Sequence, residues 1–200
     1  MGNTVSFILS LAIFFPVVSW LLRYKKAEKG YAPFRWLIFL AAISEIASQV
    51  SIYYFKTNAV VNNIYSLAEC MIILYQFYYW RKSKLLGKWI SSMAIVCGII
   101  WFWENIAAGY ITAFRPVFRI SYAFFIVILS INEINYLITH ESRRLLTNAR
   151  FIICLAFLIF FLYQILLETS FFISSKESSV VSNKIIELAV FINLLVNLLY

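Results

Sequence analysis

The chain is expected to be all-α, a polytopic membrane protein of seven transmembrane helices, and three observations lead there. Apolar residues make up 63% of its 200 positions and the mean hydropathy is +0.84, well above the range of water-soluble domains. They fall in seven runs, each near the roughly 20 residues that cross a bilayer core. The basic residues gather between these runs rather than inside them.

Taken in order, the expected spans are residues 5–22, 36–55, 63–80, 89–110, 117–138, 151–173 and 185–200. The first runs into Arg23, Lys25 and Lys26. The second opens at Arg35 and Trp36 and carries Ser44, Glu45, Ser48 and Gln49, a polar stripe suited to hydrogen bonds between packed helices. The third holds Glu69 and ends at Trp80, and the fourth holds Glu104 and Asn105. The fifth begins near Arg119 and ends around Glu133, where Asn132 and Asn135 favour an ion pair with the neighbouring basic loops. The sixth contains Gln164 and Glu168. The seventh is short and contains Glu187, Asn193 and Asn197.

Topology follows from the positive charges. Twelve lysines and arginines flank the first, third and fifth connections and five the others, which predicts cytoplasmic odd loops, an outer N-terminus and a cytoplasmic C-terminus in an inner membrane. Trp20, Trp36, Trp80 and Trp89 fall at the predicted inner interface, where an aromatic belt belongs. The net charge of +8 is explained by these loops and needs no nucleic-acid partner. The chain reads as one transmembrane domain, with no length left over for a soluble enzymatic domain.

A shift of 115 aligns Arg35 and the six residues after it with Arg150 and its six, and Gln49 with Gln164; a shift of 120 aligns Val60, Val61 and Asn63 with Val180, Val181 and Asn183. These matches suggest a parallel repeat of residues 4–80 and 119–200 around a linker helix at 89–110. That three-one-three plan resembles the architecture of SWEET and PQ-loop carriers and of rhodopsins, although the PQ dipeptide and a lysine within span seven are missing. The stretch NNIYSLAECMIILYQFYYW and the ending INLLVNLLY resemble small seven-span inner-membrane proteins of Bacteroidetes type, a likeness that implies the architecture and no activity.

Six of the nine glutamates lie inside spans, and aspartate is absent. An acid at a helix centre costs roughly 2.5–3.5 kcal/mol on insertion scales, so acids retained there turn toward a polar interior or a partner. With alternating helix directions, Glu69, Glu104, Glu168 and Glu187 all come within roughly 10 Å of the outer interface. Arg119 is the nearest cation at that level, and Asn105 and Gln164 lie beside or one turn from an acid. These seven residues are the expected ligand-binding site, with Glu69, Glu104 and Arg119 hydrogen-bonded to one another.

The catalytic sets of known chemistries are missing. The single histidine, His140, reads as a loop residue without a second ligand, the three cysteines lie in apolar runs, and no phosphate-binding glycine pattern occurs. No metal or other cofactor is expected. A sensor or receptor-like bundle with an outward acidic pocket for a small polar or cationic ligand fits best, working through a membrane-protein partner or a second copy. A transporter or channel using the same acids is the alternative, and an intramembrane lipid-modifying enzyme comes third. Spans without internal proline favour the first over the second.

Overall fold

An apolar run in a membrane must satisfy every backbone polar group internally, and a helix does so with its own hydrogen bonds. The computed structural model describes residues 29–140 and 145–174, so the expected spans at 5–22 and 185–200, and Glu187, lie outside the described residues. Within them are five α-helices and no strand: α1 (Ala32–Phe55), α2 (Ala59–Trp80), α3 (Lys84–Phe102), α4 (Pro116–His140) and α5 (Ala149–Ser174). A π-helical turn over Trp103–Ala107 extends α3, and short 3-10 turns cover Lys29–Tyr31 and Leu145–Thr147. Four helices are long and apolar enough to cross a membrane: Ala32–Phe55, Lys84–Ala107, Pro116–His140 and Ala149–Ser170.

Every helix starts ahead of its apolar run, taking Arg35, Asn62, Lys84 or Arg150 into its opening turns. Long cationic stems and first-turn amides can reach past the helix end, so polarity there does not stop it. His140, expected in a loop, is instead the last residue of α4, with its ring stacked on Tyr136 at 4.4 Å.

The chain divides into two compact units, with described residues 29–119 in one and 120–140 with 145–174 in the other. The core of the first is α2. Ala59, Asn63, Ser66, Cys70, Ile73, Phe77 and Trp80 are all buried and alternate by four and three residues, a heptad seam of the kind that meshes helices at a shallow angle. Glu69 and Gln76 are buried beside that seam. This explains why α2 falls short in apolarity among the five helices: its polar side chains face protein.

Neighbouring helices meet those polar groups. Ser48 Oγ of α1 donates to Asn62 Oδ1 at 3.2 Å, as expected of the Ser48 stripe, whereas Ser44 bonds back to the carbonyl of Ala41. At the other end of α2, Gln76 Oε1 accepts the Phe34 N–H at 2.9 Å and its Nε2 donates to the Gly30 carbonyl at 2.9 Å. Trp80 Nε1 donates to the same carbonyl at 3.1 Å. Trp80 is only 2% exposed, so it is an internal strut and not part of an aromatic belt, whereas Trp36 and Trp89 are exposed.

In the second unit, Tyr122, Ile126, Glu133 and Leu137 of α4 and Ile153, Cys154, Phe157 and Phe161 of α5 are buried. Gln164 Nε2 donates to Tyr122 Oη at 3.0 Å, and Tyr122 packs edge-on against Phe161. Arg150 Nη1 lies 3.9 Å from Glu133 Oε1, the ion pair expected near the basic loops.

The two glutamines paired by the repeat have unlike surroundings. Gln49 is exposed and donates to Glu45 of its own helix, whereas Gln164 bridges to another helix. Residues 180–183 of that match lie outside the described residues.

Gln76 serves two backbone groups at once, so Gln76→Leu should destabilise the protein by about 1–3 kcal/mol for each stranded group. Gln76→Glu keeps the acceptor for Phe34 and should fall between wild type and Gln76→Leu. Thermal unfolding in detergent checks the order; equal melting temperatures for all three proteins would contradict it.

Candidate functional site

The expected fourth span does not run through to residue 110 as an α-helix. After Phe102 the backbone widens into the π-helical turn, seen in the Ala108 N–H donating to the Trp103 carbonyl at 2.9 Å. Gly109, at φ +72°, then ends the helix in the left-handed region, which a residue with a Cβ rarely adopts. The extra residue in the turn lets two consecutive polar side chains face inward. Glu104 is 7% exposed and Asn105 5%, while Trp103 and Ile106 on either side face outward. Turns of this type recur at functional sites because they shift side-chain register within an otherwise regular helix.

Glu104 has two oxygens in different situations. Oε2 accepts the N–H of Phe118 at 2.8 Å. Phe118 is the third residue of α4, so its N–H has no partner in its own helix, and a carboxylate there also meets the positive end of the helix dipole. Oε1 is buried and accepts no hydrogen bond among the described residues. The residue is therefore a helix cap with one acceptor left over.

A second polar set surrounds this turn. Asn63, in the opening turns of α2, donates through Nδ2 to the carbonyls of Ile111 at 2.9 Å and Ala113 at 3.0 Å. Its own carbonyl accepts Trp101 Nε1 at 2.8 Å and Ser66 Oγ at 3.0 Å. Asn105 Nδ2 donates to the Trp101 carbonyl at 3.1 Å. Asn63 thus fastens the connection after the π-turn to α2 and to α3, and this connection leads into the first turn of α4, which Glu104 caps.

The expected site residues divide accordingly. Glu104, Asn105 and Arg119 come together around the π-turn and the start of α4. Arg119 follows the capped Phe118, and its guanidinium lies 5.5 Å from the Phe114 ring. Arg115 sits 4.0 Å over the Tyr110 ring. Glu69 is buried six residues further along α2 than Asn63, about 9 Å down its axis, where Oε1 accepts the Tyr65 hydroxyl at 2.9 Å. The Tyr65 hydroxyl thus bonds Glu69, and the Phe118 N–H bonds Glu104. Gln164 and half-buried Glu168 lie on α5 in the other unit.

Asn63 entered the sequence reading only through the repeat, and Gln76 and the π-turn not at all. A signal for the turn exists: Glu104 and Asn105 stand five and four residues before Gly109, the natural end of a helix, with Pro116 opening the next. Hydropathy alone reads across it.

Glu104→Leu removes a side-chain acceptor of the Phe118 N–H and should cost about 1–3 kcal/mol. Glu104→Gln preserves a carbonyl acceptor and should lose less. Asn63→Leu strands the carbonyls of Ile111 and Ala113, so it should lower stability by at least as much as Glu104→Leu and, unlike that variant, speed hydrogen exchange chiefly across residues 108–115. Exchange by mass spectrometry in detergent separates the two effects, and unchanged exchange in Asn63→Leu would remove its fastening role.

No protein-family model, curated protein or solved structure matches the chain.

Proposed function

We propose that this chain is an integral inner-membrane protein of the sensor or receptor-like class, with seven spans and its N-terminus outside. Its site for a small polar or cationic ligand lies at the π-turn. The observation that carries this reading is the divided state of Glu104: one oxygen holds a helix start and the other is buried with no hydrogen bond among the described residues. Leaving an acceptor buried and unmet costs free energy, and a ligand that brings an ammonium or hydroxyl donor recovers it. Asn105 and Arg119 flank the same turn and would set orientation.

Ligand contact with Glu104 would bear directly on Phe118 and the start of α4, since one carboxylate serves both. This gives a sensor its coupling: a donor at Oε1 competes for the charge that stabilises the cap at Oε2. The resemblance to Bacteroidetes inner-membrane proteins and the charge asymmetry of the loops support the location and sidedness. Glu69, in the same unit, would extend the acidic lining.

A carrier is the second reading, and the π-turn favours it. Carriers use interrupted helices at their binding sites, and α3 is interrupted at Glu104 and Asn105.

The test uses the full chain in lipid nanodiscs with tetramethylammonium, spermidine and a panel of polyols as probes. A probe that raises the melting temperature of wild type but not of Glu104→Gln supports the site, and equal shifts in both proteins remove it. Uptake of the same probe into proteoliposomes would select the carrier. For sidedness, Arg115→Cys should react with an impermeant maleimide in intact cells and Lys84→Cys should not; the reverse pattern overturns the topology.

A further inference from the structure

The first unit carries a concavity away from the π-turn. A groove of about 630 Å³ runs between α1 and α2, lined only by apolar and aromatic residues, among them Pro33, Trp36, Leu40, Ile43, Ile72 and Tyr79. Its α2 wall, Ile72, Tyr75 and Tyr79, recurs at three- and four-residue spacing beside the buried heptad seam rather than on it. The large walls are open along their outer edges: Trp36 is 69% exposed, Ile43 59% and Tyr79 51%.

The length and polarity of this groove match one kind of occupant. From Pro33 to Ile43 is ten residues of helix, about 15 Å, half the roughly 30 Å hydrocarbon thickness. The groove thus begins at the end of the helix pair and stops near the bilayer midplane, the reach of one leaflet. At that end stand Arg35 in the opening turns of α1 and, directly after α2, Arg81, Lys82 and Lys84. No acid occurs in the sequence between Glu69 and Glu104, the stretch that carries Arg81.

Arg81 is pre-positioned. Its guanidinium lies 3.8 Å from the Tyr78 ring centroid, Nη1 donates to the Tyr78 carbonyl at 3.0 Å, and its stem packs where Gly87 leaves no side chain. A Cβ at residue 87 would come within 2.8 Å of Arg81 Cδ.

We infer that the α1–α2 groove binds one acyl chain of an anionic phospholipid whose phosphate sits against Arg81. Hydrocarbon fills an apolar slot of single-leaflet length, with Trp36 and Tyr79 as the interfacial aromatics beside the headgroup. The cations make the choice of headgroup, because guanidinium pairs phosphate through forked, charge-assisted bonds and surface charge adds to that attraction. This inference rests on the membrane-helix reading and is independent of the ligand at Glu104.

The experiment is lipid retention by the full chain, purified from nanodiscs of equal phosphatidylglycerol and phosphatidylethanolamine into mild detergent and weighed by native mass spectrometry. Wild type should retain phosphatidylglycerol over phosphatidylethanolamine, and Arg81→Gln should reduce that preference about fivefold, as expected for one cation at a membrane surface. Leu40→Trp, which fills the slot, should reduce retention of both lipids. Arg81 is exposed, so its variant remains informative even where Leu40→Trp disturbs folding. Retention in the bulk ratio, or a preference unchanged in Arg81→Gln, overturns the inference, as does a well-folded Leu40→Trp that keeps its lipid.

Discussion

The first unit depends on how two helix starts are satisfied. Both α1 and α4 open with proline in the first two positions and phenylalanine at the third: Pro33 then Phe34, and Pro116 then Val117 and Phe118. Proline fixes φ for the first turn but contributes no donor, and the N–H of the third residue still needs an acceptor from elsewhere. In both cases another helix provides it, Gln76 of α2 for Phe34 and Glu104 beyond α3 for Phe118. Each bond fixes a helix start relative to its neighbour. Each phenylalanine is buried and followed by an arginine.

This constraint explains the distribution of polarity in α2. With lipid no better a solvent for leucine than protein is, helix association in a membrane relies on close packing and on interhelical hydrogen bonds. Asn63 near one end and Gln76 near the other bind backbone groups of the adjoining segments. Small residues such as Ser66 and Cys70 between them let the helices approach. Gly98 fits the same pattern on α3, with the Met71 side chain 3.8 Å from where its Cβ would stand. The helix that looks least like a span by hydropathy is the one that organises this unit.

The same logic separates structural acids from a candidate functional one. Glu133 faces Arg150, Glu69 accepts from Tyr65, and Glu45 accepts from Gln49, so each has a local reason to be where it is. Glu104 differs in what its bonded oxygen does: Oε2 caps the first turn of α4, and the π-turn brings the residue inward at that point, so one carboxylate sits where a helix start is set.

The sequence by itself determined a helical protein with membrane-length apolar helices, and placed the described helices to within about five residues and six of the nine glutamates within apolar runs. Those features follow from local composition: apolar runs of bilayer length, charges between them, and a desolvation cost that makes each retained acid informative. Only the tertiary structure decided which polar groups meet. Asn63 lies 48 residues from Ile111, Gln76 lies 42 from Phe34, and Trp80 reads as an interfacial tryptophan until its indole is seen on Gly30. Hydropathy is blind to such pairs, because it scores what a side chain would prefer of its surroundings, and in a packed bundle those surroundings are other segments of the chain.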